Sequence, residues 1–106
     1  MELRSLLRFV EIEDKKLKDR YSSHSREEEI VLARTVKLGE EFGELCDEVL
    51  AHSSLQRRTK LDDHSKENLP GEFADVIITT LLLAKTMNVD IEKALEEKMQ
   101  KLHRRA

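Results

Sequence analysis

Carboxylates recur at helical spacing in two places along the 106-residue chain. Glu40, Glu41 and Glu44 lie in Lys37-Leu38-Gly39-Glu40-Glu41-Phe42-Gly43-Glu44-Leu45, and Glu72 and Asp75 in Gly71-Glu72-Phe73-Ala74-Asp75-Val76. On a helical wheel with the apolar seam of Leu38, Phe42, Leu45 and Val49 as zero, Glu41 lies about 70° to one side and Glu44 about 130° to the same side. Glu40 sits beside Glu44 and further from the seam. Like charges at such spacing weaken an isolated helix by a few tenths of a kcal/mol per pair, and one such cluster alone is ordinary on a solvated face. Glu72 and Asp75 demand more explanation, because between Leu69 and Val89 they are the only acids and Lys85 is the only base. Carboxylates in an apolar helix cost several kcal/mol unless they are paired, protonated or bound to a metal. That helix holds no Arg to pair with them, so a cation is the simplest partner. If the two helices pack antiparallel, Glu41 and Glu44 face Glu72 and Asp75. Four hard oxygen donors with no Cys or His suit Mg²⁺ or Mn²⁺.

The elements that would position these acids are helices. Gly and Pro number only 3 and 1 in 106 residues, far below the roughly 12% of an average protein, which nearly excludes a strand-and-turn architecture. From Glu2 to Tyr21 the residues Leu3, Leu6, Leu7, Val10, Leu17 and Tyr21 recur at helical spacing, with Asp14 occupying one turn of the stripe. Ser25 with Glu28 has the form of a capping box and starts a second helix, which runs to about His52. Its seam repeats every seven residues through Val31, Leu38 and Leu45 and through Thr35, Phe42 and Val49. The polar stretch from Ser53 to Leu69 reads as the one long loop. Pro70 suits the first turn of a third helix, apolar on nearly every side through Met87 and ended by Asn88. Asp90 caps a fourth, with Ile91, Ala94, Leu95, Met99 and Leu102 as its seam and Lys101, Arg104 and Arg105 at its end. The expected fold is all-α, a four-helix bundle-like protomer forming a single domain over residues 1–106.

Composition narrows the function. Lys and Arg total 19 against 22 Asp and Glu, a net charge of -3, which gives no overall attraction to a nucleic acid polymer or an anionic membrane. The single Cys46 has no intramolecular disulfide partner, and the start Met1-Glu2-Leu3-Arg4 lacks the apolar core of a signal peptide. A reduced, cytoplasmic setting is therefore expected. The longest apolar stretch, Val76 to Ala84, is interrupted by Thr79 and Thr80 and falls short of the ~20 residues needed to span a bilayer.

The two acidic runs, together with Val89-Asp90-Ile91-Glu92-Lys93-Ala94 and Lys98-Met99, resemble the all-α nucleoside triphosphate pyrophosphohydrolases of the MazG-like superfamily. Their hallmark is EExxE, a spacer, then ExxD. The resemblance runs from about Arg34 to Lys101 and implies Mg²⁺-dependent cleavage of a nucleoside triphosphate between its α and β phosphates, in nucleotide-pool house-cleaning. By residue, it makes Glu41, Glu44, Glu72 and Asp75 metal ligands. Glu40, outside the inner ring on the wheel, is the better placed to take a proton from the attacking water. A triphosphate carries roughly four negative charges and can approach such acids only through intervening cations. The resemblance also places Lys98 on the distal phosphates, with Lys101, Arg104 and Arg105 as further candidates. For Lys101 and Arg105, interaction with the helix C-terminus is the plainer role. Many relatives show Lys-x-x-x-Asn here, whereas this chain has Leu102 in the Asn position.

Two other readings compete. In a non-catalytic helical adaptor the acids merely solvate the surface. In a phosphoribosyl-ATP pyrophosphohydrolase-like enzyme a His usually stands one turn beyond the Asp, where this chain has Thr79. Cys46 reads as a small core residue, and His24, His52 and His64 as solvated. Gly43 inside a helix costs about 1 kcal/mol relative to Ala, which close approach of a neighbouring helix or a ligand would explain. Arg57, Arg58 and Lys60 belong to the loop. The third helix carries Phe73, Val76, Ile77, Ile78, Leu81, Leu82 and Leu83 around its circumference, more apolar surface than one chain covers. A homodimer or dimer of dimers is the expected solution, with the nucleoside contacting both chains.

Overall fold

A computed structural model describes residues 1–21, 26–53 and 68–105, all of whose regular elements are helices: α1 (Leu3–Tyr21), α2 (Glu27–His52), α3 (Asn68–Thr86) and α4 (Ile91–Arg105). Ser25, His24, His64 and the loop bases Arg57, Arg58 and Lys60 lie outside the described residues. The N-cap of α2 is Arg26, one residue later than a capping box on Ser25 requires, and its extended backbone has no side-chain cap. Glu27, Glu28 and Glu29 fill the first turn instead, where negative charge complements the helix dipole. The start of α3 moves the other way, to Asn68, and Pro70 still falls among the first-turn positions whose N–H has no intrahelical acceptor.

The corner between α3 and α4 follows directly from its residues. Asn88 adopts a left-handed backbone with φ 58°, a conformation Asn tolerates better than most side chains. The Asn88 N–H donates to the Lys85 carbonyl at 3.1 Å and the Val89 N–H to the Ala84 carbonyl at 2.9 Å, the paired bonds of a Schellman stop. Asp90 then caps α4 by accepting the Lys93 N–H at 3.1 Å.

α3 is the hub: α2 packs antiparallel along it, α1 packs on it less extensively, and α4 touches it least. The described helices do not close into a compact bundle. The protomer is 24 Å thick in its shortest direction with a radius of gyration of 16.7 Å, against ~13 Å for a compact domain of this length. The seam of α4 stays in solvent, with Leu95, Met99 and Leu102 all exposed, as are Phe73 and Ile77 on α3 and Phe42 and Val49 on α2.

The deepest positions are unexpectedly polar. Among the described residues, Val10, Ala51 and Leu81 are the buried apolar ones, while Asp14, Arg34, Glu41, Glu48 and Thr86 are buried polar ones. The face that α2 buries is thus centred on Arg34, Glu41 and Glu48, a seven-residue repeat turned roughly 70° from the apolar seam. Arg34 joins three helices. Its Nη1 donates to Asp14 Oδ1 on α1 at 2.5 Å, to the Leu82 carbonyl on α3 at 3.3 Å and to Thr86 Oγ1. Lys18 Nζ lies 3.3 Å from the second Asp14 oxygen. Burial pushes the Asp14 carboxyl up, but the hydrogen bonds and charges of Arg34 and Lys18 outweigh it and hold the group below the usual carboxylate range.

Because that pKa is depressed in the fold, the stability Asp14 contributes is complete above its unfolded value near ~3.9 and is lost as pH falls through the folded value. Asp14→Ala is therefore expected to destabilise by about 3–5 kcal/mol at pH 7 and to flatten the acid limb of the stability profile below pH ~4. Replacing Asp14 and Arg34 together by Leu and Met should recover much of the loss. Urea melts from pH 2 to 7 on all three proteins measure both effects.

Candidate metal centre

Opposite the middle of α2, the first turns of α3 bring Glu72 and Asp75 against Glu41, and one carboxylate oxygen from each lies within 4.8 Å of the other two. The i, i+3 spacing puts Glu72 and Asp75 on one face of α3, and the antiparallel register that joins Arg34 to Thr86 sets Glu41 opposite them. Glu41 is buried, Glu72 half-buried and Asp75 exposed, so the group is anchored at depth and open at one side.

The electrostatics are one-sided. Lys37 Nζ lies 3.1 Å from Glu41 Oε1 and 3.8 Å from Glu40 Oε2, and the Glu41 hydrogen bond and charge raise the Lys37 pKa. Glu41 Oε2 and Glu72 Oε2 are buried with no hydrogen-bond partner among the described residues. Burial, and then the charges of Glu44, Asp75, Glu41 and Glu48, push the Glu72 carboxyl up. Two orphaned buried oxygens among converging carboxylates fit a hard divalent cation, which takes oxygen ligands and cancels the repulsion. Ordinary burial of carboxylates calls for paired Arg or Lys, which Lys37 supplies to one oxygen of Glu41 and not to the orphaned oxygens.

Of the acids singled out in the sequence, Glu41, Glu72 and Asp75 converge. Glu44 is exposed and outside the 4.8 Å group, though its charge is the first felt by Glu72 after burial. Glu40 is also exposed. Lys98 and Arg104 are exposed on α4, which packs little against α3; among the described residues no ion pair links them to these acids. Two expectations are corrected. His52 is not solvated but mostly covered, its Nε2 3.5 Å from Glu48 Oε2, because the inward face of α2 carries it. Gly43 has nothing within 4 Å of where a Cβ would stand, so no neighbour within the described chain accounts for it. Sequence reading missed Arg34 and Glu48; their seven-residue offsets from Glu41 were the available signal.

Fold and site together define an all-α protein with an acidic, cation-competent groove between two antiparallel helices. The sequence model of the MazG nucleotide pyrophosphohydrolase domain matches residues 31–106, and the chain belongs to that family. No curated protein and no solved structure matches the chain. None of the described helices is long and apolar enough to cross a membrane.

A cation at one hundred times its Kd contributes about 2.7 kcal/mol, which raises the melting temperature of a domain this size by on the order of 10 °C. Mg²⁺ or Mn²⁺ is expected to give that rise in differential scanning calorimetry. Asp75→Asn should abolish it while leaving the cation-free protein as stable as the parent or more so, since one repelling charge is gone. A drop in cation-free stability with the Mg²⁺ response intact would identify Asp75 as a structural residue instead.

Proposed function

We propose that the chain is a Mg²⁺-dependent nucleoside triphosphate pyrophosphohydrolase, releasing a nucleoside monophosphate and pyrophosphate. The observation that carries the reading is the convergence of Glu41, Glu72 and Asp75, two of them with orphaned buried oxygens, in a chain of the nucleotide pyrophosphohydrolase family. Glu41, Glu72 and Asp75 would hold the cation, with Glu44 joining them from the rim of α2; Mn²⁺ would fit the same donors. The bound cation supplies neutralisation of the phosphate charge and acidification of water.

The chain's own residues do the rest. A water oxygen attacks the α-phosphorus, the bond to the β-bridging oxygen breaks, and pyrophosphate leaves with that bond's electron pair. Glu40, exposed and outside the converging group, takes the proton the water loses. Lys37 lies beside both Glu40 and Glu41 and offsets part of their charge. Lys98 and Arg104 serve the distal phosphates. They reach them through a homodimer or dimer of dimers, in which the exposed apolar seam of α4 and the exposed faces of α2 and α3 are covered by a second copy. Such an enzyme would remove unwanted nucleotides from the cytoplasmic pool.

Pyrophosphate release from a panel of standard, deoxy and oxidised triphosphates, with phosphoribosyl-ATP included, tests the reading. At least one nucleoside triphosphate should yield equal amounts of monophosphate and pyrophosphate with Mg²⁺ and none with chelator. Release of orthophosphate, or cleavage of phosphoribosyl-ATP alone, would contradict it. Glu40→Gln is expected to lower kcat by about 10²–10⁴-fold with the cation-dependent melting shift retained. Light scattering should give a mass at least twice 12.4 kDa; full activity in a 12.4 kDa species would refute the shared assembly.

A further inference from the structure

The buried face of α2 has little apolar relief with which to key against α3. Its buried residues are Arg34, Glu41, Glu48 and Ala51, and of these only Ala51 is apolar, with a methyl group too short to interlock firmly. Between the acids and the far end of α3, the helices α1, α2 and α3 leave a cavity of about 390 Å³, bordered by Leu17, Ala33, Lys37, Thr79 and Leu82 among others. Close packing, which ordinarily stops one helix from sliding along another, is therefore thin in this stretch. The converging charges of Glu41, Glu72 and Asp75 also oppose their own alignment. Directional bonds must hold the register.

Arg34 makes them. Its Nη1 donates to the Leu82 carbonyl at 3.3 Å and to Thr86 Oγ1, and Thr86 Oγ1 donates to the same carbonyl at 2.9 Å. Thr86 is 1% exposed and the Arg34 side chain 9%, so water competes little for these bonds. Arg34 precedes Glu41 by seven residues, and Leu82 follows Asp75 by seven. Each offset is roughly 10 Å of helix, so in an antiparallel pair the register that sets Arg34 against Leu82 also sets Glu41 against Asp75. Asp14, from α1, accepts from the same Nη1 at 2.5 Å and fixes where the guanidinium sits.

We propose that Arg34, held by Asp14 and Thr86, is a positioning residue of the metal centre: it sets the register in which Glu41 meets Glu72 and Asp75, and so the affinity for the cation, without contact to either. The proposal rests on the cation reading above and extends it to α1, a helix that contributes no ligand. Loss of the network leaves all three carboxylates in the chain but loosens their convergence, and the centre binds its cation less tightly.

The electron paramagnetic resonance signal of free Mn²⁺ gives the Kd of the full chain without nucleotide. Asp14→Leu combined with Arg34→Met removes one charge of each sign, so the distant field at the acids changes little. That pair is also expected to regain much of the stability lost in Asp14→Ala. Its Kd for Mn²⁺ should nonetheless rise about tenfold, as when partners behind metal ligands are lost. Thr86→Val alters no charge and little shape, and should raise the Kd several-fold. Urea melts of the same proteins separate positioning from stability: the expected result is weaker Mn²⁺ binding by chains that are fully folded in the assay. If the double variant does not fold, Thr86→Val decides alone. A Kd equal to the parent's, or a rise accounted for by the unfolded fraction, would overturn the positioning role and leave the metal centre standing. If the parent binds no Mn²⁺, or Asp75→Asn binds it equally well, the cation reading fails and the positioning role with it.

Discussion

Drawing oxygens of Glu41, Glu72 and Asp75 within 4.8 Å of one another sets the α2–α3 interface against Coulomb repulsion, and the rest of the protomer is arranged around that opposition. The two helices must be fixed in register, since a slip of one residue on either turns a carboxylate about 100° away from its partners. Seven residues upstream of Glu41 on the same face, Arg34 fixes it. Its bonds to Thr86 and the Leu82 carbonyl pin α2 to the far end of α3, and its bond to Asp14 pins α1 across both. One end of the interface is thus a paired cation–acid network and the middle an acid cluster with two unpartnered buried oxygens. The fold carries its surplus negative charge where a ligand cation can meet it.

Much of this was legible in the chain. Glu72 and Asp75 stood out because an otherwise apolar helix held no counter-charge for them, and the antiparallel pairing with the Glu41 run followed from needing one. The Asn88 stop and the Asp90 cap were equally plain, being local chemistry. The orientation of α2 was not. Taking Leu38, Phe42, Leu45 and Val49 as the inward seam assumes that apolar side chains mark the core. Here Arg34, Glu41 and Glu48 take the buried centre, and Phe42 and Val49 face outward. The Asp14–Arg34–Thr86 network escaped for another reason. Its members are 20 and 52 residues apart, and the only trace in sequence is an acid interrupting the apolar stripe of α1.

The family match begins at residue 31, yet α1, which precedes it, supplies the anion that holds Arg34 and one wall of the cavity. The matched helices bring the acids; α1 adjusts what lies beside them. The apolar residues left in solvent on α2, α3 and α4 belong to the same economy. With the buried face taken by charged groups, these aliphatic side chains remain on the surface.

The central claim is that the acids of α2 and α3 form a cation site. The anomalous scattering of Mn²⁺ in crystals of the full chain tests it most directly. A single strong peak within coordination distance of Glu41, Glu72 and Asp75, lost in crystals of Glu72→Gln, is the expected result. Mn²⁺ bound elsewhere, or no peak with the three carboxylates still converged, would contradict the account.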